Sequence, residues 1–334
     1  MREQERAPLP ADPSIPPEFS GLAQLARRSG YQPVSVEVLP GDVGRRRYLR
    51  LALAGNESVL GVFYPPDEDD ARRRWLAARA HLSTRVRVPV VYAEDQSGNQ
   101  ILEDFGAEDL ASRLASKPAE RAVWLHRAAG IAATIGAISD PGINAPFDAA
   151  FFFRELDLAR EAVFDLWLGE SLDADERVTH DVWAKSLVRE IEAHPRVLCH
   201  RDFHGNNLFP VGEDVAAIDF QDLRCGPDSY DLASMLWERT TLEWMTEETG
   251  GAVMLHFAER RGLERNAFSR RFDRVLLQRA WKVCGTFARA VAQGKGPVYR
   301  WYLPRELALV RRLLVGPEDC AFRRVFESRL AALC

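Results

Sequence analysis

No stretch of the 334 residues stays apolar long enough to cross a bilayer as a helix, so a helical membrane protein is excluded. Cysteine is sparse and scattered. Cys199, Cys225, Cys284, Cys320 and Cys334 are odd in number and include no Cys-x-x-Cys pair, so neither a disulfide framework nor a zinc site fits. Reduced thiols in a cytoplasmic enzyme are the expectation. A basic excess is also missing: the formal net charge of -5 gives no footprint for nucleic acid. The only compositionally biased segment is the start, and residues 1–18, charged and proline-rich without an apolar centre, are read as a flexible arm and not as a secretory signal.

What remains is ordinary soluble composition, 46% hydrophobic and 28% charged, in a chain long enough for two lobes. After a short helix at 21–29, five strand-like runs follow at 34–39, 48–53, 59–64, 88–93 and 100–103, interrupted by a charged helix at 67–82. Their alternation and β-branched content suit an antiparallel sheet. From Asp109 the period turns helical, as over 147–168 and 272–292, with strands expected only between Arg196 and Asp219. Gly226–Ser229 is read as the start of another helix, capped by Asp228. The fold class predicted is α+β and bilobal: an N-terminal lobe over 19–106 ending in a hinge, and a larger, mostly helical lobe over 107–334.

Within the helical half stands His200-Arg201-Asp202-Phe203-His204-Gly205-Asn206-Asn207-Leu208, followed by Ile218-Asp219-Phe220-Gln221-Asp222. Asp202 and Asn207 are five apart, and Asp219 follows an apolar strand. One carboxylate to orient and deprotonate a hydroxyl, with two hard oxygen donors for Mg²⁺ on ATP, is what phosphoryl transfer from ATP needs. Asp202 is therefore the candidate base, and Asn207 and Asp219 are the candidate metal and nucleotide ligands. Asp222 is open between a second metal contact, an acceptor contact and a turn residue. His200 is expected to hold the loop, and His204 either reaches the acceptor or γ-phosphate or packs in the loop. Asp231 is either an acid in a first helical turn or a brace for the catalytic loop.

In the first lobe, the Gly41–Gly44 turn and Arg46 and Arg47 fall between two strands, where arginines supply charge for a triphosphate. The segment Ile101–Gly106, with Glu103 at its centre, resembles a hinge whose backbone could pair with adenine. The run Val59–Tyr64 lacks the strand lysine that many kinases use on the α- and β-phosphates. Arg46 or Arg47 is expected to replace that charge. Neither Asp-Phe-Gly nor Ala-Pro-Glu follows the catalytic loop, which argues against a protein kinase.

On the His-Arg-Asp-x-His-x-x-Asn-Leu and Ile-Asp-Phe-Gln-Asp segments, the chain resembles the aminoglycoside-phosphotransferase-like kinases, which have a protein-kinase-like fold. It is most similar to the bacterial anomeric kinases of N-acetylmuramate and N-acetylglucosamine. Gly41-Asp42, Arg46-Arg47-Tyr48, Leu102-Glu103-Asp104, Tyr230-Asp231-Leu232, Leu277-Gln278-Arg279 and Leu303-Pro304-Arg305 carry that similarity. The resemblance implies Asp202 as base, Asn207 and Asp219 as metal ligands, ATP and Mg²⁺ as cofactors, and a sugar from cell-wall recycling as acceptor. Such an acceptor needs hydrogen-bonding side chains and, for N-acetylmuramate, a cation. Arg154 and Glu155 interrupt an apolar helix and are read as sugar contacts or as a surface ion pair. Gln278, Lys282 and Arg289 share a helix face, either solvated or lining a cleft. A monomer with a small-molecule substrate is expected. Other hydroxyl acceptors (an aminoglycoside, a choline-like alcohol, another sugar) and a non-catalytic kinase-like binding protein are the competing readings.

Overall fold

The computed structural model describes residues 15–40 and 45–333. The Gly41–Gly44 turn and most of the expected arm lie outside those residues. Within the arm, Ile15 packs against the first core cluster, and a 3₁₀ turn over Pro17–Phe19 buries Phe19.

Helix α1 (Ser20–Arg28) leads into strands β1 (Ser35–Val38), β2 (Arg47–Ala52) and β3 (Ser58–Phe63). Helix α2 (Asp69–Leu82) then precedes β4 (Val91–Glu94) and β5 (Gln100–Glu103). The strands form one antiparallel sheet in the order β1-β2-β3-β5-β4. Strand alternation divides its faces. Leu49, Leu51, Val59 and Ile101 pack with Leu22 and Leu25 of α1. Tyr48, Arg50, Leu60, Val62 and Leu102 face the opposite way, toward the second lobe. Gly61 lies beneath α1 because a Cβ there would come within 2.6 Å of Leu22.

The larger lobe begins with α3 (Leu110–Ser116) and α4 (Arg121–Ile135). Next come α5 (Ala149–Arg160), which continues as a π-helical stretch to Leu168, and α6 (Ala174–Glu192). Four short strands follow: β6 (Arg196–Cys199), β7 (Leu208–Val211), β8 (Asp214–Ala217) and β9 (Arg224–Pro227). They pair as two antiparallel ribbons, β6 with β9 and β7 with β8. Helices α7 (Tyr230–Leu236), α8 (Glu247–Arg261), α9 (Arg265–Ala292), α10 (Val298–Leu313) and α11 (Cys320–Leu330) complete it.

Two sequence expectations fail here. Gly226–Ser229 does not begin a helix: Gly226 and Pro227 end β9, and Gly226 fits there because a Cβ would meet Phe147 at 2.6 Å. Asp228 is not a cap either. Its buried carboxylate takes Arg271 at 2.7 Å, and α7 starts after Ser229 without a side-chain cap. A dipeptide of Gly and Pro looks the same at a strand end as at a helix start.

The core of this lobe is aromatic. Trp183 stacks on Phe322 at 4.2 Å, and Trp281 meets both edge-on. Cys199 and Cys284 are buried within it, and burial pushes the Cys199 thiol up, as befits a small packing residue. Helices α5 and α9 touch at Ala159 and Gly285, where a glycine Cβ would fall 2.5 Å from the Ala159 Cα. Gly285→Val should therefore force the helices apart and lower stability by about 1–3 kcal/mol, read as a reduced denaturation midpoint at unchanged m-value.

Candidate active site

The loop from His200 to Asn207 joins β6 to β7, and two backbone constraints give it its shape. Arg201 adopts a φ of 80°, a left-handed conformation that costs a non-glycine residue about 1–3 kcal/mol unless its surroundings impose it. The surroundings are Asp231, near the start of α7. Its carboxylate accepts the backbone N–H of His200 at 2.7 Å and of Arg201 at 3.0 Å. Burial pushes that carboxyl's pKa up, while the two N–H donors favour its charged form. Of the two roles open for Asp231, the geometry is that of the brace. His200 adds a second tie, through Nε2 to the Ile218 carbonyl at 2.9 Å.

Phe203, fully buried, anchors the middle of the loop. Gly205 lets it lie against α3, since a Cβ would sit 2.9 Å from Ala111. Asp109, the N-cap of α3, accepts from Ser112 N at 2.7 Å and from Asn206 Nδ2 at 2.9 Å. Asn207 donates Nδ2 to the Asp202 carbonyl at 2.9 Å, leaving its amide oxygen available as an acceptor. The Asn207 carbonyl in turn receives Ile218 N at 3.0 Å, fixing the residue before Asp219 to the catalytic loop. Asp219 has a φ of 60°, the second strained non-glycine residue of this region. Its Oδ1 accepts from Gln221 at 2.8 Å and lies 3.6 Å from the Arg46 guanidinium.

Asn207, Asp219 and Arg46 all line one cavity of about 510 Å³ between the lobes. Leu60, Val62, Leu102 and Phe209 give it apolar walls, and Arg50, Glu103, Asp104, Gln221 and Asp222 line it as well. That is a slot for a planar ring, with charge at one end. On β3 the cleft-facing positions are Leu60 and Val62, so no lysine enters from that strand. Arg46, half-buried near Tyr64 and Asp219, and Arg50, engaged by Asp104, are the cations that enter the cleft. Arg47 is exposed, and its Nη1 bonds the Arg46 carbonyl at 3.5 Å. In place of an ion pair from α2 to a strand lysine, α2 stacks Trp75 on Phe220 at 5.4 Å.

At the hinge, the Glu103 side chain pairs with Arg87 and accepts Val90 N at 3.2 Å. Sequence reasoning gave Asp104 and Arg50 no role in the site. Asp104 binds Arg50 Nε at 2.7 Å, Ser58 Oγ at 2.7 Å and Gly106 N at 2.9 Å, while Arg50 also reaches the Gly106 carbonyl at 2.9 Å. Period two along β2 already put Tyr48 and Arg50 on one face, and that pattern was the available signal.

Asp202 is half-buried. Burial raises its pKa, but the charges of Arg201 and Lys282 outweigh burial and hold it below the ordinary carboxylate value. It is ionised at neutral pH. Asp222 lies between Arg201 at 2.7 Å and Arg224 at 3.7 Å, so its carboxylate is engaged within the protein. His204 is recessed, and burial drives its pKa down to about 4, which makes it neutral. Its Nε2 lies 3.4 Å from Asn207 Nδ2. A neutral ring in that place can orient a neighbour but carries no charge for phosphate.

The expected sugar contacts separate. Arg154 is exposed over the Phe151 ring. Glu155 turns inward, accepting Gln278 Nε2 at 2.9 Å with Lys282 Nζ at 3.8 Å. The shared face of Gln278 and Lys282 is therefore interior, with Gln278 fully buried.

The residues suit a nucleotide with Mg²⁺. An amide oxygen and a carboxylate make an all-oxygen, two-member donor set, which leaves the remaining positions to phosphate and water. Among the described residues there is no group of three or more His, Cys, Asp or Glu placed to hold a metal ion.

Residues 35–272 match the phosphotransferase enzyme family. An N-acetylmuramate/N-acetylglucosamine kinase of Neisseria meningitidis serogroup B is 30% identical over 281 residues, spanning 81% of this chain and 83% of that protein. One of the same description from Pseudomonas putida is 28% identical, spanning 84% of each. Among solved structures, a choline/ethanolamine kinase family protein from Mesorhizobium loti has a TM-score of 0.61 at 16% identity, covering 92% of this chain and 98% of that one. The aminoglycoside phosphotransferase APH(2'')-Ib with ADP bound has a TM-score of 0.57 at 13% identity, covering 91% and 99%. These likenesses establish the protein-kinase-like α+β fold. No helix among the described residues is long and apolar enough to cross a membrane.

Asp231→Ala should leave the N–H groups of His200 and Arg201 buried without acceptors, costing about 2–6 kcal/mol in total, at 1–3 for each. Thermal unfolding reads that loss. An unchanged Tm would mean that the loop is held by something else.

Proposed function

The chain belongs to the phosphotransferase enzyme family, with an alcohol as acceptor, and we propose that this alcohol is the anomeric hydroxyl of an N-acetylated amino sugar, phosphorylated from ATP. The observation that carries the proposal is the hydrogen-bonded chain from Asp202 through Asn207 to Ile218 and Asp219. It ties the residue of the candidate base to two oxygen donors that line one cavity. The curated relatives named as N-acetylmuramate/N-acetylglucosamine kinases, each matched over more than four-fifths of its length, support the choice of sugar. A place in cell-wall sugar recycling is part of this proposal.

In this scheme the acceptor hydroxyl lies against Asp202. The carboxylate orients it and takes its proton as the oxygen bonds to the γ-phosphorus and the bond to the β-phosphate oxygen breaks. Lowered pKa suits the task, because the group must be unprotonated when the sugar arrives. Asn207 and Asp219 would hold Mg²⁺, which supplies charge neutralisation on the phosphates. Arg46 provides the fixed positive charge that other kinases place on the third strand. Adenine occupies the apolar slot beside Leu102 and Phe209, next to the hinge that Arg50 and Asp104 stiffen. An aminoglycoside acceptor would call for carboxylates to receive its ammonium groups. The charges that act on Asp202 are instead those of Arg201, Lys282 and Arg279, which favours a neutral or anionic acceptor.

Asp202→Asn should reduce sugar-dependent ADP release by about 10²–10⁴-fold while nucleotide binding, followed by calorimetry, persists. Full turnover in that variant would remove Asp202 from the chemistry. Arg46→Ala should raise the KM for ATP by about tenfold or more with a smaller effect on sugar KM, as loss of a charge-assisted phosphate contact predicts. Screening sugars, aminoglycosides and amino alcohols against the unaltered enzyme decides the acceptor class.

A further inference from the structure

Asp231 can brace the catalytic loop only while α7, which carries it, is itself held. Seven residues long and buried throughout, α7 starts without a side-chain cap. Its seat therefore depends on what packs against it. From α9 the half-buried Arg279 donates Nη2 to Ser234 Oγ at 2.7 Å and lays its guanidinium over the Tyr230 ring, 4.5 Å from the centroid. Tyr230 precedes Asp231 and Ser234 follows it by three residues, so the two ends of this grip enclose the brace. Four residues apart, Tyr230 and Ser234 are neighbours on the helix surface. The Tyr230 ring also packs on Phe147, with centroids 4.5 Å apart, which fixes the ring that the guanidinium covers.

Packing alone does not call for a cation here. Arg279 forms no ion pair among the described residues, and its Nη1 is buried without a hydrogen-bond partner. A charge so placed adds little to stability, since well-packed apolar groups of similar volume serve as well or better at such positions. What the guanidinium adds is direction: its planar fork, bonded to Ser234 and stacked on Tyr230, fixes the rotation of α7 about its own axis. That rotation matters to the loop. The φ of 80° at Arg201 persists only while its surroundings impose it, and they do so through the two N–H groups that Asp231 accepts. A small turn of α7 would release Arg201 and shift the next residue, Asp202.

We propose that Arg279 is a positioning residue for phosphoryl transfer: by fixing α7 it keeps Asp231 on the His200 and Arg201 amides, and so keeps Asp202 in its reactive place. The inference rests on the kinase reading and adds to it a residue that acts through a neighbouring helix. Arg279 is not part of the wall of the nucleotide cavity.

The test measures kcat, KM and Tm for Arg279→Met, Arg279→Lys and Asp231→Asn, and for Arg279→Met combined with Asp231→Asn. Hydrogen exchange of the His200 and Arg201 amides is followed in each. Arg279→Met should unfold at nearly the temperature of the unaltered protein and lose protection at both amides. Its kcat should fall by about a hundredfold at little-changed KM, the size expected when a reacting group is displaced by about 1 Å. Arg279→Lys, which can still donate to Ser234, should recover part of both. Added to Asp231→Asn, Arg279→Met should cause little further loss, because the two act through one brace. Full kcat with full protection in Arg279→Met overturns the inference. So do losses that simply add in the combined variant, which would mean that the guanidinium acts by charge alone, and so does a Tm that falls in step with kcat. If the unaltered protein phosphorylates no sugar, the kinase reading falls, and amide protection in Arg279→Met still decides whether Arg279 holds the loop.

Discussion

The arrangement of this molecule depends on one buried carboxylate. Asp231 takes the N–H groups of two successive residues and so holds Arg201 in a conformation it would not otherwise keep. From that turn the Arg201 guanidinium reaches Asp222. Further along, the Asn207 amide bonds back to the loop and its carbonyl takes Ile218 N, so the strain at Arg201 and at Asp219 is paired across one hydrogen-bonded unit. Strain of about 1–3 kcal/mol at each position persists only where the surroundings over-determine it, and here they do so in the loop that carries Asp202 and at Asp219.

Around that unit the charge is distributed unequally. In the cleft between the lobes Arg46 faces Asp219, while Arg50, which also lines it, is engaged by Asp104. Arg46 enters at the start of β2 and not from β3, whose cleft face is apolar. The helix that packs against this sheet docks by the stack of Trp75 on Phe220, a contact made by shape and area and not by charge. The side of Asp202 toward α9 is basic, with Lys282 and Arg279 among the groups that lower its pKa. One carboxylate thus stays ionised in a partly buried site because fixed cations, and not water, offset the cost of its charge.

The α9 helix does two jobs with one sequence. Its buried stripe, including Leu277, Trp281 and Cys284, belongs to the aromatic core. The face bearing Gln278 and Lys282 turns to Glu155 instead of to solvent. Close packing makes this geometry possible, because Gly285 lets α5 approach until Ala159 nearly touches the α9 backbone.

Local pattern in the chain was enough for the antiparallel sheet, the helical half and the motif from His200 to Asp222. Strand alternation, helical period and the chemistry of Asp, Asn and Asp are all written within short windows. The fate of side chains that meet partners far along the chain was not legible in this way. Asp228 has the look of a cap and instead binds Arg271, while Arg154 and Glu155, neighbours in sequence, part to solvent and interior. Arg46 and Arg47 could not be ranked from sequence, yet one lines the cleft and the other is exposed. A one-residue step along a strand reverses its face, but which face meets the other lobe depends on how the lobes pack. The sequence by itself determined which chemical groups are present and at what spacing. Tertiary structure alone decided which of them share a cavity, because burial and long-range ion pairs belong to surfaces assembled from distant segments.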